Sequence, residues 1–311
     1  VSDLPRITII TPSFDRPDLL EETIHSVLDQ NYPNLEYMIV DGSGSEESKL
    51  IIQGFDERLH WWCQQRIQNP AHAINKGLDK ATGDIIAYLN CGDTYLPDTL
   101  QTVGEHFRDQ PKTDFLYGMC QLVDQQGKIL KTHRGNLFKL EELLDLWNVW
   151  WKGRNFIQPE CFWSRRMFLK VRSFRENLDR AFAFEYWTRL FIAGARVKRL
   201  EKELSRHRLP AGQFSTYSDA AAAEEISIIE SVLWDPKTPL DRSLRRRLQA
   251  DWLYETRIAD LVSESVAAGD SVWQCRLKIA PQLFQNPKAL LSERLKARMQ
   301  QFEATKNQPE T

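Results

Sequence analysis

In a chain of 311 residues, no apolar run approaches the roughly 20 residues that a helix needs to cross a bilayer. The opening residues VSDLPR offer neither the basic region nor the apolar stretch of a secretory signal, so a soluble, cytosolic protein is expected. Cysteine is sparse. The five thiols (Cys63, Cys91, Cys120, Cys161, Cys275) are odd in number and form no Cys-x-x-Cys pair, and the six histidines form no His-x-x-x-His pair. This argues against a disulfide framework and a structural zinc site and leads us to expect free thiols in a reducing compartment. No sign of charge dominates either. With 41 Lys and Arg against 43 Asp and Glu, nucleic acid is not an expected partner. Phosphate-loop glycines are missing as well: no Gly-x-Gly-x-x-Gly and no Gly-Lys-Ser/Thr occurs, which argues against a dinucleotide-binding enzyme and a P-loop nucleotidase.

What is present is globular composition, 42% hydrophobic and 27% charged, which excludes wholesale disorder. Short β-branched runs alternate with amphipathic stretches, the pattern of an α/β chain with a mostly parallel sheet. Strands are expected at 6–14, 35–41, 58–63, 85–89, 113–123 and 128–132, and helices from Pro17, over 46–53 and 70–81, and from Pro97 to Phe107. From 136 to 215 the pattern turns irregular and aromatic, with a helix expected at 184–193 and a strand at 195–200. After Ser218 the chain reads as wholly helical.

In an open α/β sheet, the loops at the carboxyl ends of the strands form the ligand crevice. Three such loops are polar here: Thr11 to Arg16, Asp41 to Glu46, and Asn90 to Thr94. A strand-end carboxylate such as Asp93 can hold a hard divalent cation while phosphate oxygens and water fill the remaining positions, or it can simply cap the next helix. Asp41 is equally double-edged, a turn residue or an acceptor for a nucleobase N–H.

The run ITIITPSFDRPDLLEETIHSVLDQNYPNLEYMIVDG, then AHAINKG, then ATGDIIAYLNCGDTYLP, resembles the family-two glycosyltransferases of the GT-A fold. The likeness continues through FIQPECFWSRR, LDRAFAFEYWTRLFIAGAR and RLPAGQFST, covering roughly residues 5 to 217. The resemblance implies a GT-A domain over 1–217, with a Rossmann-like nucleotide-sugar half to about 110 and an acceptor half from about 111. Its sheet would be mixed and mostly parallel, flanked by helices, with an all-helical extension over 218–311. It further implies an inverting transfer of sugar from a nucleoside-diphosphate sugar to a glycan or lipid-linked glycan. Thr11, Pro12, Ser13, Asp41, Asn75, Asn90 and Asp93 would bind the donor, and Asp93 would hold Mn or Mg as the last acidic residue of the Asp-x-Asp-type motif.

The departures from the family pattern concern the chemistry. Ala183 occupies the position of the catalytic base, and an alanine accepts no proton. Glu185, two residues on, is the substitute, provided 183–185 precedes regular helix, because helical residues two apart point about 200° away from each other. Asp179 is the more distant candidate. Gly92 stands where many relatives have a further Asp, Ile67 to Asn69 replace an Asp-Arg-Gly-like turn, and Pro210 replaces a diphosphate-holding His for which His207 or Arg208 could compensate. Together these departures support an alternative, a catalytically silent relative that binds nucleotide sugar or scaffolds a partner. The aromatic cluster at 147–163 reads mainly as core, with one or two rings on the acceptor side. The tail, with 13 Lys and Arg against 9 Asp and Glu over 237–311, reads as a solvated face or an oligomer contact ahead of a peripheral contact with the inner face of the membrane.

Overall fold

The computed structural model describes residues 3–67, 69–210 and 219–306. The chain divides into two compact units, Val1–Glu225 and Ile226–Thr311. Along the first unit run strand β1 (Ile7–Ser13), helix α1 (Pro17–Leu28), β2 (Leu35–Asp41), α2 (Glu46–Gln53), β3 (Trp61–Gln64), α3 (Pro70–Leu78), β4 (Ile85–Tyr88), β5 (Thr94–Tyr95) and α4 (Thr99–Asp109). There follow β6 (Phe115–Val123), β7 (Ile129–His133), a short α5 (Leu140–Leu143), β8 (Cys161–Ser164), α6 (Arg165–Val171), α7 (Phe182–Ile192) and β9 (Val197–Arg208). Helix α8 (Asp219–Trp234) crosses the boundary between the units, and α9 (Arg242–Arg257), α10 (Ala259–Ala267), α11 (Val272–Gln285) and α12 (Glu293–Lys306) complete the chain.

The sheet order is β3-β2-β1-β4-β8-β6-β9-β5, with β7 beside β6. Strands β3, β2, β1 and β4 are mutually parallel, and β8 enters antiparallel between β4 and β6. Chain order runs outward from β1 to β3 and then returns to β4 on the other side of β1, so a topological switch point lies between β1 and β4. That is where open α/β sheets bind ligands. β1 is buried along its whole length, as its unbroken ITII run requires of a strand covered on both faces. Helix α3 packs so closely on it that a Cβ at Gly77 would come within 2.6 Å of Ile10 Cγ2.

Three expectations are corrected here. Strand β8 and helix α6 lie within the irregular aromatic stretch, and β9 runs on from 200 to Arg208. The extension of β9 is charged (EKELSRHR) and carries no apolar period. It is a strand because parallel pairing with β6 satisfies its backbone, through two register shifts. Of the 147–163 aromatic cluster, Trp150, Phe156, Phe162 and Trp163 are buried, as expected of most of it, and Phe115, Phe174 and Trp187 join them in the core.

Asp114, just before β6, fastens this half. It is almost fully buried and accepts the Arg196 backbone N–H at 3.0 Å and Nε at 2.9 Å, with Arg166 paired to its other oxygen. Burial raises the pKa of this carboxyl, but the hydrogen bonds and charge of Arg196 and the charge of Arg166 outweigh it and hold the pKa below the ordinary 3.8. Its stabilisation is therefore present above the unfolded-state value and is lost as pH falls toward the lower folded one. Asp114→Asn should cost about 1–2 kcal/mol at pH 7, the low end for a hydrogen bond to a charged group, because both guanidiniums are half-exposed. Urea titrations at pH 7 and pH 3 check this; the variant should lose less stability than wild type between those two values.

In the second unit, Asp241 caps α9 by accepting the N–H groups of Ser243 and Leu244, and Ser271 and Gln274 form a reciprocal cap on α11. Several of the tail's basic residues are spent internally: Arg245 donates to the carbonyls of Leu233, Asp235 and Thr238, Arg294 pairs with Glu255 at 3.0 Å, and Lys278 with Asp270 at 2.6 Å. Among the described residues, no helix is long and apolar enough to cross a membrane.

Candidate functional site

Two cavities adjoin at the switch point, sharing Asn90 and His207 in their walls. The first, about 390 Å³, is lined by Arg16, Cys91, Gly92, Asp93 and Arg208 among others. Its floor is the turn after β4. Gly92 has φ +98, a conformation that strains any residue with a Cβ, so the glycine at this motif position is matched to its backbone. The Thr23 hydroxyl pins the turn, taking the Gly92 N–H and donating to the Asp93 carbonyl, both at 2.9 Å.

The Asp93 carboxylate is buried and unevenly satisfied. Oδ1 accepts the Arg208 backbone N–H and the His207 Nδ1–H, each at 3.0 Å, whereas Oδ2 is buried without a hydrogen-bond partner among the described residues. An orphaned carboxylate oxygen is costly unless something positive occupies the space beside it. Among the described residues no group of three His, Cys, Asp or Glu side chains could hold a metal. A single buried carboxylate oxygen suits a hard cation that takes one oxygen from the protein and the rest from ligand phosphates and water. Burial pushes the His207 pKa down, but the charge and hydrogen bond of Asp93 outweigh it and hold the pKa above the ordinary value. Cys91, pushed up to about 12 by burial, stays a neutral thiol. Arg208 donates to the carbonyls of Gly92, Asp124 and Gln125 and pairs with Glu22 at 2.7 Å, while Arg16 is held by Asp18 at 3.0 Å. These cationic groups make the cavity's walls favourable for a diphosphate.

The remaining residues singled out in the sequence are placed as follows. Pro12 and Ser13 end β1 and are buried. Ser13 lies opposite Asp41 in the β1–β2 register. The Thr11 hydroxyl is hydrogen-bonded to the Tyr37 hydroxyl at 3.0 Å. The Asp41 carboxylate accepts the Ser43 hydroxyl, at 2.9 and 2.8 Å, and Gln64 Nε2 at 2.8 Å. Asn75 spans to the 174–176 segment: Nδ2 donates to the Phe174 carbonyl and Glu176, and Oδ1 accepts the Phe174 N–H at 2.8 Å. Asn90 Nδ2 donates to Gln158 at 3.0 Å. Of these residues only Asn90 lines the two cavities, together with Asp93 in the first. Gln68 and residues 211–218, the latter covering most of the RLPAGQFST stretch, lie outside the described residues.

The second cavity, about 270 Å³, is walled by Trp150, Phe156, Gln158, Ala183 and Glu225, among others. Helix α7 begins at Phe182, so Ala183 and Glu185 both lie on regular helix and diverge. Ala183 lines the cavity; Glu185 is not among its walls. The condition under which Glu185 could replace Ala183 is not met. Its buried carboxylate instead receives Arg189 Nε at 2.8 Å and Arg175 Nε at 3.0 Å. Asp179 is exposed, its backbone N–H donating to Glu224.

Glu224 and Glu225 escaped sequence reasoning, which took AAAAEE only as a helix opening. Glu224 accepts the backbone N–H groups of Asp179, Arg180 and Ala181 at 3.1, 3.0 and 2.7 Å, fixing the approach to α7. Glu225 accepts the indole N–H groups of Trp150 and Trp151 at 3.0 and 2.6 Å, one on each oxygen.

Comparison with known proteins identifies the family and the fold. TuaG of Bacillus subtilis, which bears the name of a teichuronic acid biosynthesis glycosyltransferase, is 37% identical over 126 residues, 40% of this chain and 50% of the relative. The GalNAc(5)-diNAcBac-PP-undecaprenol beta-1,3-glucosyltransferase of Campylobacter jejuni is 29% identical over 136 residues, 42% of this chain and 43% of the relative. The chain thus spans half or less of these curated relatives. Among solved structures, the mannosyltransferase PcManGT of Pyrobaculum calidifontis, in complex with GDP-Man and Mn²⁺, superposes with a TM-score of 0.61. The match covers 95% of this chain and 85% of that one at 17% identity, a likeness of fold, and the fold is that of the GT-A glycosyltransferases. The family model Glycosyl transferase family 2 matches residues 8–172, over half of the 311, and the chain belongs to that family.

Proposed function

We propose that this chain is an inverting, metal-assisted glycosyltransferase that moves a sugar from a nucleoside-diphosphate sugar to a glycan or lipid-linked glycan. The observation that carries it is the pair of adjoining cavities, one basic-walled around the free Asp93 Oδ2, the other aromatic-walled, meeting at Asn90 and His207. The acceptor class follows the Campylobacter relative, whose name specifies a lipid-linked glycan.

On this reading Asp93 Oδ2 would hold a Mn or Mg ion, which when bound would supply Lewis-acid neutralisation of the diphosphate. Arg16 and the pocket face of His207 attract the same phosphates. Asp41, at the end of β2, takes a nucleobase N–H by sharing or displacing its present Ser43 and Gln64 donors. Trp150, on the cavity wall, offers an apolar ring to the acceptor sugar. The acceptor hydroxyl attacks the anomeric carbon from the face opposite the diphosphate, and that single displacement inverts the centre. Glu185 serves as the anchor of Arg189 and Arg175 rather than as the base.

A panel of UDP-, GDP- and dTDP-sugars, screened by thermal unfolding with and without Mn, tests the proposal. A bound donor at a hundredfold excess over its Kd contributes about 2.7 kcal/mol, expected as a rise of roughly 5–10 °C in the presence of Mn that EDTA abolishes. If no nucleotide sugar shifts the transition under either condition, the proposal fails. One observation favours the second reading, a silent nucleotide-sugar-binding module: the alanine at the base position. Donor binding without any sugar transfer or donor hydrolysis is its signature.

A further inference from the structure

The family's base is missing at Ala183, yet among the described residues the cavity that Ala183 lines contains one acidic side chain, Glu225. Glu225 lies on α8, beyond the residues to about 217 that carry the family resemblance, so no family position marks it. Three observations single it out. First, its carboxylate is held in place by the Trp150 and Trp151 indole N–H groups at 3.0 and 2.6 Å. A carboxylate has about four lone-pair sites, and one donor on each oxygen leaves the others free to take a proton. Second, the preceding residue locks the frame. Through Glu224, α8 is fastened to the backbone at 179–181, directly before the helix that carries Ala183. Third, the same cavity shares Asn90 and His207 with the cavity around Asp93, so an acceptor there lies next to the proposed diphosphate site.

We infer that Glu225 is the proton acceptor of this enzyme, a base relocated from α7 to α8. This rests on the transferase reading above and deepens it. In the step, the acceptor oxygen uses a lone pair to form the new bond to the anomeric carbon. The bond from that carbon to the diphosphate oxygen breaks, with its electron pair leaving on the nucleoside diphosphate. The hydroxyl proton passes to Glu225, which returns it to water after product departs. The environment suits the task. Burial raises the pKa of the Glu225 carboxyl, the neighbouring Glu224 charge adds to the rise, and the two indole donors only partly offset it, leaving a stronger base than an ordinary glutamate. The only other formal charge in the cavity's described wall, besides the titratable His207, is Arg180.

The test uses the full chain with Mn and UDP-glucose, UDP-GlcNAc and GDP-mannose as probes, following nucleotide release with water as acceptor. Glu225→Gln is expected to lower kcat about 10²- to 10⁴-fold, the range of a general base, while the donor KM and the Mn-dependent thermal shift stay within about threefold and a degree or two of wild type. Adding Ala183→Asp to Glu225→Gln should recover at least a tenth of the loss. Should Glu225→Gln prove unstable, sodium formate added to Glu225→Ala provides an independent readout, because a small carboxylate can restore a missing base but not a missing tether. Retention of kcat within threefold in Glu225→Gln overturns the assignment. So does a loss explained wholly by weaker donor binding, or a wild-type chain that binds a donor but releases no nucleotide. A wild-type chain that binds none of the donors instead refutes the underlying transferase reading.

Discussion

Asp93→Asn is expected to lower kcat/KM about 10²- to 10³-fold and to abolish the response to Mn, the scale of losing one preorganised group that stabilises a departing anion. The substitution is nearly isosteric, and the amide oxygen can still accept the Arg208 N–H that now ends on Oδ1. What disappears is the charge, and with it a cation ligand at the buried, unpartnered Oδ2. Fold stability should therefore change by no more than about 1 kcal/mol, so that activity and unfolding separate cleanly. Steady-state kinetics across a Mn titration, beside a thermal melt, is the measurement. A variant that keeps its Mn dependence would remove Asp93 from the metal and with it the proposed donor geometry.

Glu185→Ala is expected to act in the opposite way, costing stability and sparing the donor site. Removing the carboxylate leaves Arg189, whose side chain is only 23% exposed, and Arg175 facing a buried hole without their counter-charge. Breaking a buried pair from one side costs 3–5 kcal/mol; because Arg175 can turn to water, about 3 kcal/mol is the expected value. For a domain of this size the melting temperature should fall by roughly 6–12 °C. Arg189 also donates to the Ser173 carbonyl at 2.8 Å, so the loop before α7 should loosen too. Donor affinity measured well below the transition should be unchanged within about twofold. The contrary pattern, wild-type melting with turnover abolished, would return Glu185 to the role of base.

These two carboxylates show what a linear reading can and cannot supply. Asp93 was legible because a polar residue after a short, fully apolar strand must lie at a sheet's carboxyl edge. That His207 and Arg208, singled out in the sequence only for the diphosphate, would grip Asp93 itself was not, because they lie more than a hundred residues later, on a charged strand extension with no apolar period to announce it. Glu185 was misleading for a local reason. Whether it or Ala183 faces the cavity depends on where α7 begins, and a boundary at Phe182 sends the two in different directions. Asn75 was placed on the correct helix, but its hydrogen bonds tie that helix to Phe174 and Glu176, a contact across 99 residues that no spacing rule encodes.

By itself the sequence determined the alternating β/α order and the strand ends at Ser13 and Asp41, with Asp93 in the turn after β4, because burial on both faces leaves a local, periodic imprint of apolar residues, while its motifs carried the resemblance to the family. Tertiary structure alone decided that one oxygen of Asp93 is satisfied and the other left open, that Glu185 is tied up by two arginines, and that Glu225 shares a cavity with Ala183. Each of those outcomes is a meeting of side chains far apart in the chain, set by how strands register and helices dock, and such meetings have no period for a sequence to display.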